Sequence, residues 1–258
     1  MGFAVRPLRL KPKISTAADV IRCYCAGKDV LDLGFLNHSS SSADKPGWLH
    51  REVLSVAKRS VGVDYVKDGV ERMRERGLEA VCADVTEPIP IAEKFDVIIA
   101  FHVIEHLTNF DGFFRNCQRL LKRDGRLIIA SPNPFYIEGV HYLALKGRVL
   151  VNPEHTCWVD PQCLSQLGGR YGFEVVDTLL VKKSWRLRWF ITGGERNRYD
   201  ILSETWVGDT AAKRAARFFS GLLFHIVYAP VKVASLGFTA WLSHSDYVAV
   251  LRRMDDSP

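Results

Sequence analysis

The chain has 258 residues, of which 47% are hydrophobic, and it carries a formal net charge of +6. This length accommodates one α/β domain with an additional segment, and residues 1–15 lack the apolar core that a signal peptide needs, so we expect none. The six cysteines show no zinc-ligand spacing, so we expect reduced thiols in a cytoplasmic protein.

The N-terminal third predicts an arm, a helix and one strand–helix–strand unit. Two apolar runs, Val30–Gly34 and Val61–Tyr65, each contain an acidic residue and a glycine, which is typical of buried strands in a parallel sheet. The predicted elements are an extended arm over 1–14, helices over 15–26 and 48–59, and strands over 30–34 and 61–65. Open α/β sheets bind ligands at the carboxyl ends of their strands, so we expect a site there.

The middle of the chain repeats this alternation of strands and helices. The run Phe95–Phe101 is the most hydrophobic and is therefore predicted as a central strand. The other predicted elements are helices over 67–77, 110–122 and 161–171, a loop over 86–91, and strands over 81–84, 125–132 (entered by a turn at Asp124–Gly125) and 174–181. The pattern predicts an α/β fold: a Rossmann-like, doubly wound, mostly parallel sheet with helices on both faces.

Five motifs occur in one order between residues 27 and 180. They read V-L-D-L-G, V-G-V-D, A-D-V, F-D-V-I-I-A-x-x-V-I-E-H-L and L-K-R-D-G-R-L-I-I-A-S-P. In this order and spacing the chain resembles the class I S-adenosylmethionine-dependent methyltransferases. The resemblance implies that Asp32 and Gly34 lie near the methionine part of the cofactor, Asp64 at the ribose and Asp84 near the adenine. The other residues expected to bind the cofactor are Asn37, Tyr65, Val85 and Phe101.

The loop after the first strand departs from this family. Relatives usually continue with two more glycines, whereas this chain reads Gly34-Phe35-Leu36-Asn37. Asn37 tolerates a left-handed backbone better than most residues, so we expect the turn to persist in a bulkier form.

Methyl transfer is an in-line displacement that often needs a base near the acceptor. The candidates are His102 and His106, at the end of the central strand, and His155, in the loop after the fifth predicted strand. His102 and His106 are four residues apart, so on a helical turn they would share a face, as a base with Glu105 or as a metal pair. The ubiquinone-pathway O-methyltransferases are similar at this point of the sequence, where they carry a Glu-His pair like Glu105-His106. They carry a carboxylate nearer the position of His102, so we predict no metal site and interpret Glu105 as part of a structural turn.

The insertion over 133–150 is rich in aromatic residues and resembles the lid that family members place over the acceptor, which favours an apolar or ring-bearing acceptor. Residues 184–258 are predicted as a separate helical appendage to the domain over 1–183. Its stretch Trp185–Phe190 alternates basic and aromatic residues, and helices are predicted over 211–229 and 231–242. These helices fit an anionic membrane surface on its cytoplasmic side, a cap on the sheet or a homodimer interface.

The sequence as a whole predicts an enzyme that uses S-adenosylmethionine to methylate an oxygen of a small or lipid-linked saccharide or aromatic acceptor. Two alternatives remain: a metal-dependent aromatic O-methyltransferase of the ubiquinone type, and a catalytically silent scaffold that binds the cofactor. A nicotinamide dehydrogenase is disfavoured because G-x-G-x-x-G is absent after the first strand. A nucleic-acid partner is not expected, because no DNA- or RNA-binding motif is present.

Overall fold

The computed structural model describes residues 13–36, 44, 47–136, 143, 149, 151–181, 241 and 244–254. Within these ranges eight strands form one mixed sheet with helices packed against it. The strands are β1 Lys13–Ser15, β2 Asp29–Leu33, β3 Arg59–Asp64, β4 Ala80–Cys82, β5 Phe95–Phe101, β6 Leu121–Pro132, β7 Phe173–Val181 and β8 Asp246–Arg253. The helices are α1 Ala17–Cys25, α2 Leu49–Val56, α3 Lys67–Glu75, α4 Phe110–Leu120 and α5 Pro161–Arg170, with a short 3₁₀ turn at Ile104–His106.

The sheet has the strand order β1-β7-β8-β6-β5-β2-β3-β4. All neighbouring strands run parallel except β8, which lies antiparallel to both β6 and β7. From β2 the chain builds outward through β3 to β4, and it then returns to add β5 and β6 on the other side of β2. The carboxyl ends of β2 and β5 therefore flank the point where the winding reverses, which is where sheets of this kind bind ligands.

Buried apolar residues cover both faces of the sheet, as a doubly wound fold requires. On one face the sheet packs against α4 and α5, and on the other it packs against α1 and α2. The alternation along β2 assigns its residues to opposite faces, since Leu31 and Leu33 join the first cluster and Val30 joins the second. A third cluster joins α3 to the loop after β2. The predicted fold class is confirmed.

The ends of two helices follow the capping residues in the sequence. Thr16 caps α1 by accepting a hydrogen bond from Asp19 N, and Asp160 caps α5 by accepting from Gln162 N and Cys163 N. Pro161 occupies the first turn of α5, where its missing N–H is not needed. These local signals explain why both helices begin within a residue or two of the predicted positions.

The predicted division of the chain at residue 183 is wrong for residues 246–253. These residues form β8, which lies between β6 and β7, with Asp246 opposite both Pro132 and Val181. Tyr247–Leu251 is a fully buried run, and the hydroxyl of Tyr247 donates to Val159 O at 2.7 Å. The predicted N-terminal arm also contributes β1, which pairs with β7. The sheet thus includes segments from both ends of the chain.

The entrance to β6 also differs from the predicted turn at Asp124–Gly125. The strand begins at Leu121, directly after α4, and a bulge separates its first pairing with Phe95 from the next at Val97. Lys122 in the bulge reaches Asp29 at 3.3 Å and Asp96 at 2.9 Å, which ties three neighbouring strands together.

The region predicted as membrane-associated helices, 211–229 and 231–242, lies outside the described residues apart from Trp241, as does Trp185–Phe190. In the part of the chain that the structure does describe, no helix combines the length and hydropathy needed to cross a bilayer.

Candidate active site

Two buried carboxylates stand at the carboxyl ends of adjacent strands. Asp32 on β2 is 5% exposed, and Asp64 at the end of β3 is 3% exposed. Asp64 accepts hydrogen bonds from Leu36 N at 3.0 Å and from Val66 N at 3.1 Å. His50 Nδ1 lies 2.6 Å from Asp32 Oδ2 and donates to it. The sheet thus places two acidic groups side by side where the strand order reverses.

The bulky loop after β2 forms the turn that its first glycine requires. Gly34 has a φ of +76°, and a Cβ added there would lie 2.5 Å from Val103 Cγ2. Phe35 turns beneath the loop and is buried, with its ring against Gly62, and Trp48 Nε1 donates to Phe35 O at 2.6 Å. Phe35 and Leu36, the two residues after Gly34, are both buried and therefore fill the space below the turn. Asn37 lies outside the described residues.

The predicted adenine side of the site is formed by residues that follow β3 and β4. Tyr65 is 65% exposed at the end of β3, and partial burial together with the negative charges of Asp64, Glu154 and Asp84 raises its pKa. Asp84 accepts from both the N–H and the hydroxyl of Thr86 at 2.8 Å. Val85 and Phe101 are buried, Val85 in the α4/α5 cluster and Phe101 in the α1/α2 cluster.

His102 follows β5 with a strained backbone. Its φ is 56°, and no other non-glycine residue in the described part of the chain has a positive φ. His102 Nδ1 lies 3.3 Å from Glu105 Oε1, and Glu105 is 1% exposed. Ser131, at the end of β6, donates to the other carboxylate oxygen at 3.2 Å. A strained histidine beside a buried carboxylate is a feature that occurs at functional sites.

The loop before α5 is hydrogen-bonded to the turn that carries Glu105. Thr156 N donates to Glu105 O at 2.8 Å, and Thr156 Oγ1 donates to Leu107 O at 2.7 Å. His106 Nδ1 lies 3.1 Å from Glu154 O and donates to it, and the His106 and His155 rings meet edge to face at 4.7 Å. The candidate ligand atoms of Glu105, His106 and His155 lie within 4.8 Å of one another.

This arrangement corrects one prediction and extends another. His102 and His106 were expected to share a helical face, but the turn is 3₁₀, so His102 contacts Glu105 and His106 contacts the 154–155 loop. Glu105 does lie in a structural turn, as interpreted, and its carboxylate also lies among the histidines. Burial lowers the pKa of His155, as do the nearby His106 and His102, whereas Glu105 opposes this effect. His155 is therefore neutral near pH 7.

Large apolar side chains are exposed on segments next to this cluster. Trp158 is 52% exposed in the same loop as His155, and Phe135 is 49% exposed after β6. The start of the predicted lid is anchored, because Asn133 donates to His244 O at 2.8 Å and is itself buried. Most of residues 137–150 lie outside the described residues.

Two contributions to the site were missed from the sequence. His50 was not distinguished from other helical residues, although a polar residue on the buried side of an amphipathic helix was a visible signal. Ser131 gave no such signal, because its contact joins the end of β6 to the turn after β5, 26 residues away in the sequence.

Comparisons with known proteins agree with this geometry. Residues 44–178 match the model of a family described as a methyltransferase domain. A protein of Mycolicibacterium smegmatis named as a probable S-adenosylmethionine-dependent methyltransferase is 32% identical over 159 residues, 60% of this chain and 55% of that protein. A protein of the same description from Mycobacterium tuberculosis H37Rv is 33% identical over 136 residues, 51% of this chain and 43% of the relative. The match therefore spans about half the length of these relatives.

Other matches are shorter or more remote. A ubiquinone biosynthesis O-methyltransferase of Rhodopseudomonas palustris HaA2 is 38% identical over 52 residues, 20% of each chain. The crystal structure of an S-adenosylmethionine-dependent methyltransferase from Archaeoglobus fulgidus has a TM-score of 0.51 and 16% identity, over 92% of this chain and 94% of the other. A methyltransferase in complex with the Haloferax volcanii Trm112 activator has a TM-score of 0.54 and 14% identity, over 94% and 90% of the two chains. These structural matches show a shared fold.

Proposed function

This chain belongs to the class I S-adenosylmethionine-dependent methyltransferases, and from that membership we propose that it methylates an oxygen of a small or lipid-linked acceptor, a saccharide or an aromatic ring. The observation that carries the proposal is the pairing of His102 with the buried carboxylate of Glu105 at the end of β5. A hydroxyl group must lose its proton as it is methylated, and such a histidine is suited to accept it.

The cofactor residues follow from the chemistry of S-adenosylmethionine, which supplies an electrophilic methyl group when bound. Asp64 would accept hydrogen bonds from the ribose hydroxyls, and Asp32 would pair with the ammonium group of the methionine part. Tyr65, Asp84 and Val85 would contact the adenine side, since they follow the next two strands along the sheet edge. Gly34 allows close approach of the backbone beside Asp32.

His102 would act as the base. Its Nδ1 donates to Glu105, so Nε2 carries the lone pair that accepts the proton of the acceptor hydroxyl. Bound S-adenosylmethionine would supply the methyl group of the product ether, S-adenosylhomocysteine would leave as the co-product, and His102 would hold the proton given up by the acceptor. His155 would bind the acceptor, because its neutral ring lies on the neighbouring loop with His106 against it.

The acceptor class can be tested with methyl-labelled S-adenosylmethionine. We expect the purified protein to transfer label to a fraction of apolar or lipid-linked saccharides or aromatic compounds, and NMR of the product to show an O-methyl signal. An N-methyl product would contradict the proposed acceptor while leaving the methyltransferase assignment intact. Labelled methionine fed to a deletion strain and its parent would then identify the missing methylated metabolite.

The proposed lipid-linked acceptor is consistent with a protein on the cytoplasmic face of a membrane. The support is the basic, aromatic stretch Trp185–Phe190 together with the exposed side chains of Trp158 and Phe135. We expect the protein to co-sediment with vesicles of anionic lipid at physiological salt and not with neutral vesicles. Failure to bind the anionic vesicles would leave a cap or a homodimer interface as the role of the segment, and light scattering would reveal the dimer.

A second candidate is a metal-dependent aromatic O-methyltransferase. The observation that favours it is the cluster of Glu105, His106 and His155, in which His106 Nδ1 donates to a carbonyl and so leaves Nε2 as a ligand atom. Activity that survives exhaustive treatment with a chelator would reject this candidate. Loss of activity on chelation that a divalent ion restores would support it. Glu154→Gln, which changes none of the three ligand residues, is the control and should respond as the wild type does.

A further inference from the structure

A histidine and an aspartate form a buried pair next to the proposed cofactor site. His50 lies in the first turn of α2 and is 1% exposed, and its Nδ1 donates to Asp32 Oδ2 at 2.6 Å. The imidazole packs against two aromatic rings, with centroids 5.0 Å from Phe35 and 5.2 Å from Trp48. This packing and the burial of the side chain hold the ring in the orientation that directs Nδ1 at Asp32.

The environment of Asp32 makes this donor important. Burial raises the pKa of Asp32, the hydrogen bond and charge of His50 lower it, and the negative charge of Asp64 on β3 raises it. Cys25 of α1 also faces Asp32, but burial raises the pKa of its thiol to about 12, so it stays neutral. A buried carboxylate without a donor would take up a proton and lose the charge that attracts a cation.

The same aromatic residues, Phe35 and Trp48, support the loop after β2. Trp48 Nε1 donates to Phe35 O, and the next residue, Leu36, donates its N–H to Asp64. The backbone of the loop is therefore fixed by the Trp48 indole at Phe35 and by the Asp64 carboxylate at Leu36. His50 completes this support, because its ring contacts Phe35 and Trp48 and its nitrogen contacts Asp32.

We propose that His50 is a positioning residue for S-adenosylmethionine, which holds the Asp32 carboxylate in the orientation that pairs with the ammonium group of the methionine part. This inference rests on the proposed role of Asp32 in cofactor binding. It assigns His50 no contact with the cofactor, because the imidazole acts through Asp32. His50 therefore affects ligands that carry the amino-acid part and not those that lack it.

Calorimetry with three ligands separates this role from a general structural one. S-adenosylmethionine and S-adenosylhomocysteine both carry the ammonium group, whereas methylthioadenosine keeps the adenosine and lacks the amino-acid part. In His50→Phe, which retains the ring packing, we expect the affinity for the first two to fall at least about tenfold, the usual value of a hydrogen bond to a charged group. The affinity for methylthioadenosine should stay within about twofold of the wild type.

Two further variants sharpen the result. His50→Asn places an amide near the position of Nδ1 and should restore most of the lost affinity. Glu52→Gln, on the same helix and paired with Arg22 at the surface, is the matched control and should bind all three ligands as the wild type does. In His50→Phe the affinity should recover as the pH rises, because Asp32 then loses the proton that it has gained.

Three results would overturn the inference. An equal loss for all three ligands would make His50 a structural residue, and an unchanged affinity for S-adenosylmethionine would give it no role. If His50→Phe does not fold, His50→Leu takes its place in a double-mutant cycle with Asp32→Asn, and additive losses in that cycle would also reject the coupling. A folded wild type that binds none of the ligands would reject the proposed function itself, which is a separate outcome.

Discussion

At the scale of single residues, His102 combines an unfavourable backbone with a specific partner. Its left-handed φ of 56° costs a non-glycine residue on the order of 1 kcal/mol. The conformation is held because His102 N donates to Ala130 O at 2.9 Å while the side chain reaches Glu105. The backbone therefore turns away from β5 at the residue that presents a base to the site.

The first prediction tests that assignment. His102→Asn keeps a residue that tolerates the left-handed region and a polar group near Glu105, so unfolding by urea should change by less than about 1 kcal/mol. Turnover should fall by about 10²-fold, the usual size of a general-base contribution. Turnover equal to the wild type would remove His102 from the mechanism.

The second prediction concerns His155. We expect His155→Ala to lower turnover by about 10²-fold, because an acceptor that is poorly oriented reacts slowly, while calorimetry shows unchanged affinity for S-adenosylmethionine. In the wild type, the KM for the acceptor should stay constant as the pH falls to 6.5, the ordinary histidine pKa, and rise only below it, since the pKa of His155 is lowered by burial. Unchanged turnover in the variant would exclude His155 from the site.

At the scale of elements, the turn between β2 and α2 joins the end of β2, which carries Asp32, to the end of β3, which carries Asp64. Gly34 N donates to Val63 O at 2.8 Å, so the turn begins in register with the end of β3. Its positive φ and its contact with Val103 together leave space for no side chain. The chain thus keeps the one glycine that geometry requires and fills the rest of the turn with apolar residues.

The third prediction follows from a matched pair of glycines. Gly34→Ala should destabilise the protein by more than Gly27→Ala, because both have a positive φ but only Gly34 has Val103 Cγ2 at 2.5 Å from the new Cβ. Each should lose on the order of 1–2 kcal/mol from the backbone, and Gly34→Ala should lose more from the clash. Urea denaturation measures the difference, and equal losses would show that the turn can relax.

Local patterns predicted most of these elements, and long-range contacts account for the rest. Consecutive residues determine the apolar runs of β2, β3 and β5 and the helix caps at Thr16 and Asp160. These elements could therefore be predicted from the sequence. The pairing of His50 with Asp32, by contrast, depends on how α2 packs against β2. The bulge at Lys122 and the 3₁₀ turn after His102 arise from contacts with other strands and loops, which no local period encodes.

At the scale of the whole molecule, β8 belongs to the sheet of the domain that was predicted to end at residue 183. The short apolar run Tyr247–Leu251 was not predicted as a strand, because the sequence around it is basic and aromatic. Its partners lie on β6 and β7. Antiparallel insertion between two parallel strands cannot be recognised from composition, because only the pairing reveals it. The methyltransferase sheet is therefore complete only when the C-terminal strand is present.

The fourth prediction uses the boundary that the sequence suggested. A fragment of residues 1–183 should fail to show cooperative unfolding, because its loss of β8 leaves the edges of β6 and β7 unpaired and exposes their apolar faces. The full chain should unfold in a cooperative transition under the same conditions. A fragment that melts cooperatively and binds S-adenosylmethionine would show that β8 is dispensable.

The position of Asp246 has a consequence for exchanging the chain segment that lies between Val181 and Asp246. Val181 and Pro132 both lie opposite Asp246, so the chain departs from the sheet and rejoins it in one row of hydrogen-bonded residues, on the edge that carries the histidines. The two ends of the segment 182–245 are therefore attached at neighbouring positions of the sheet. Exchange of this segment between relatives should leave the carboxylates of Asp32 and Asp64 in place, so calorimetry should show an unchanged affinity for S-adenosylmethionine.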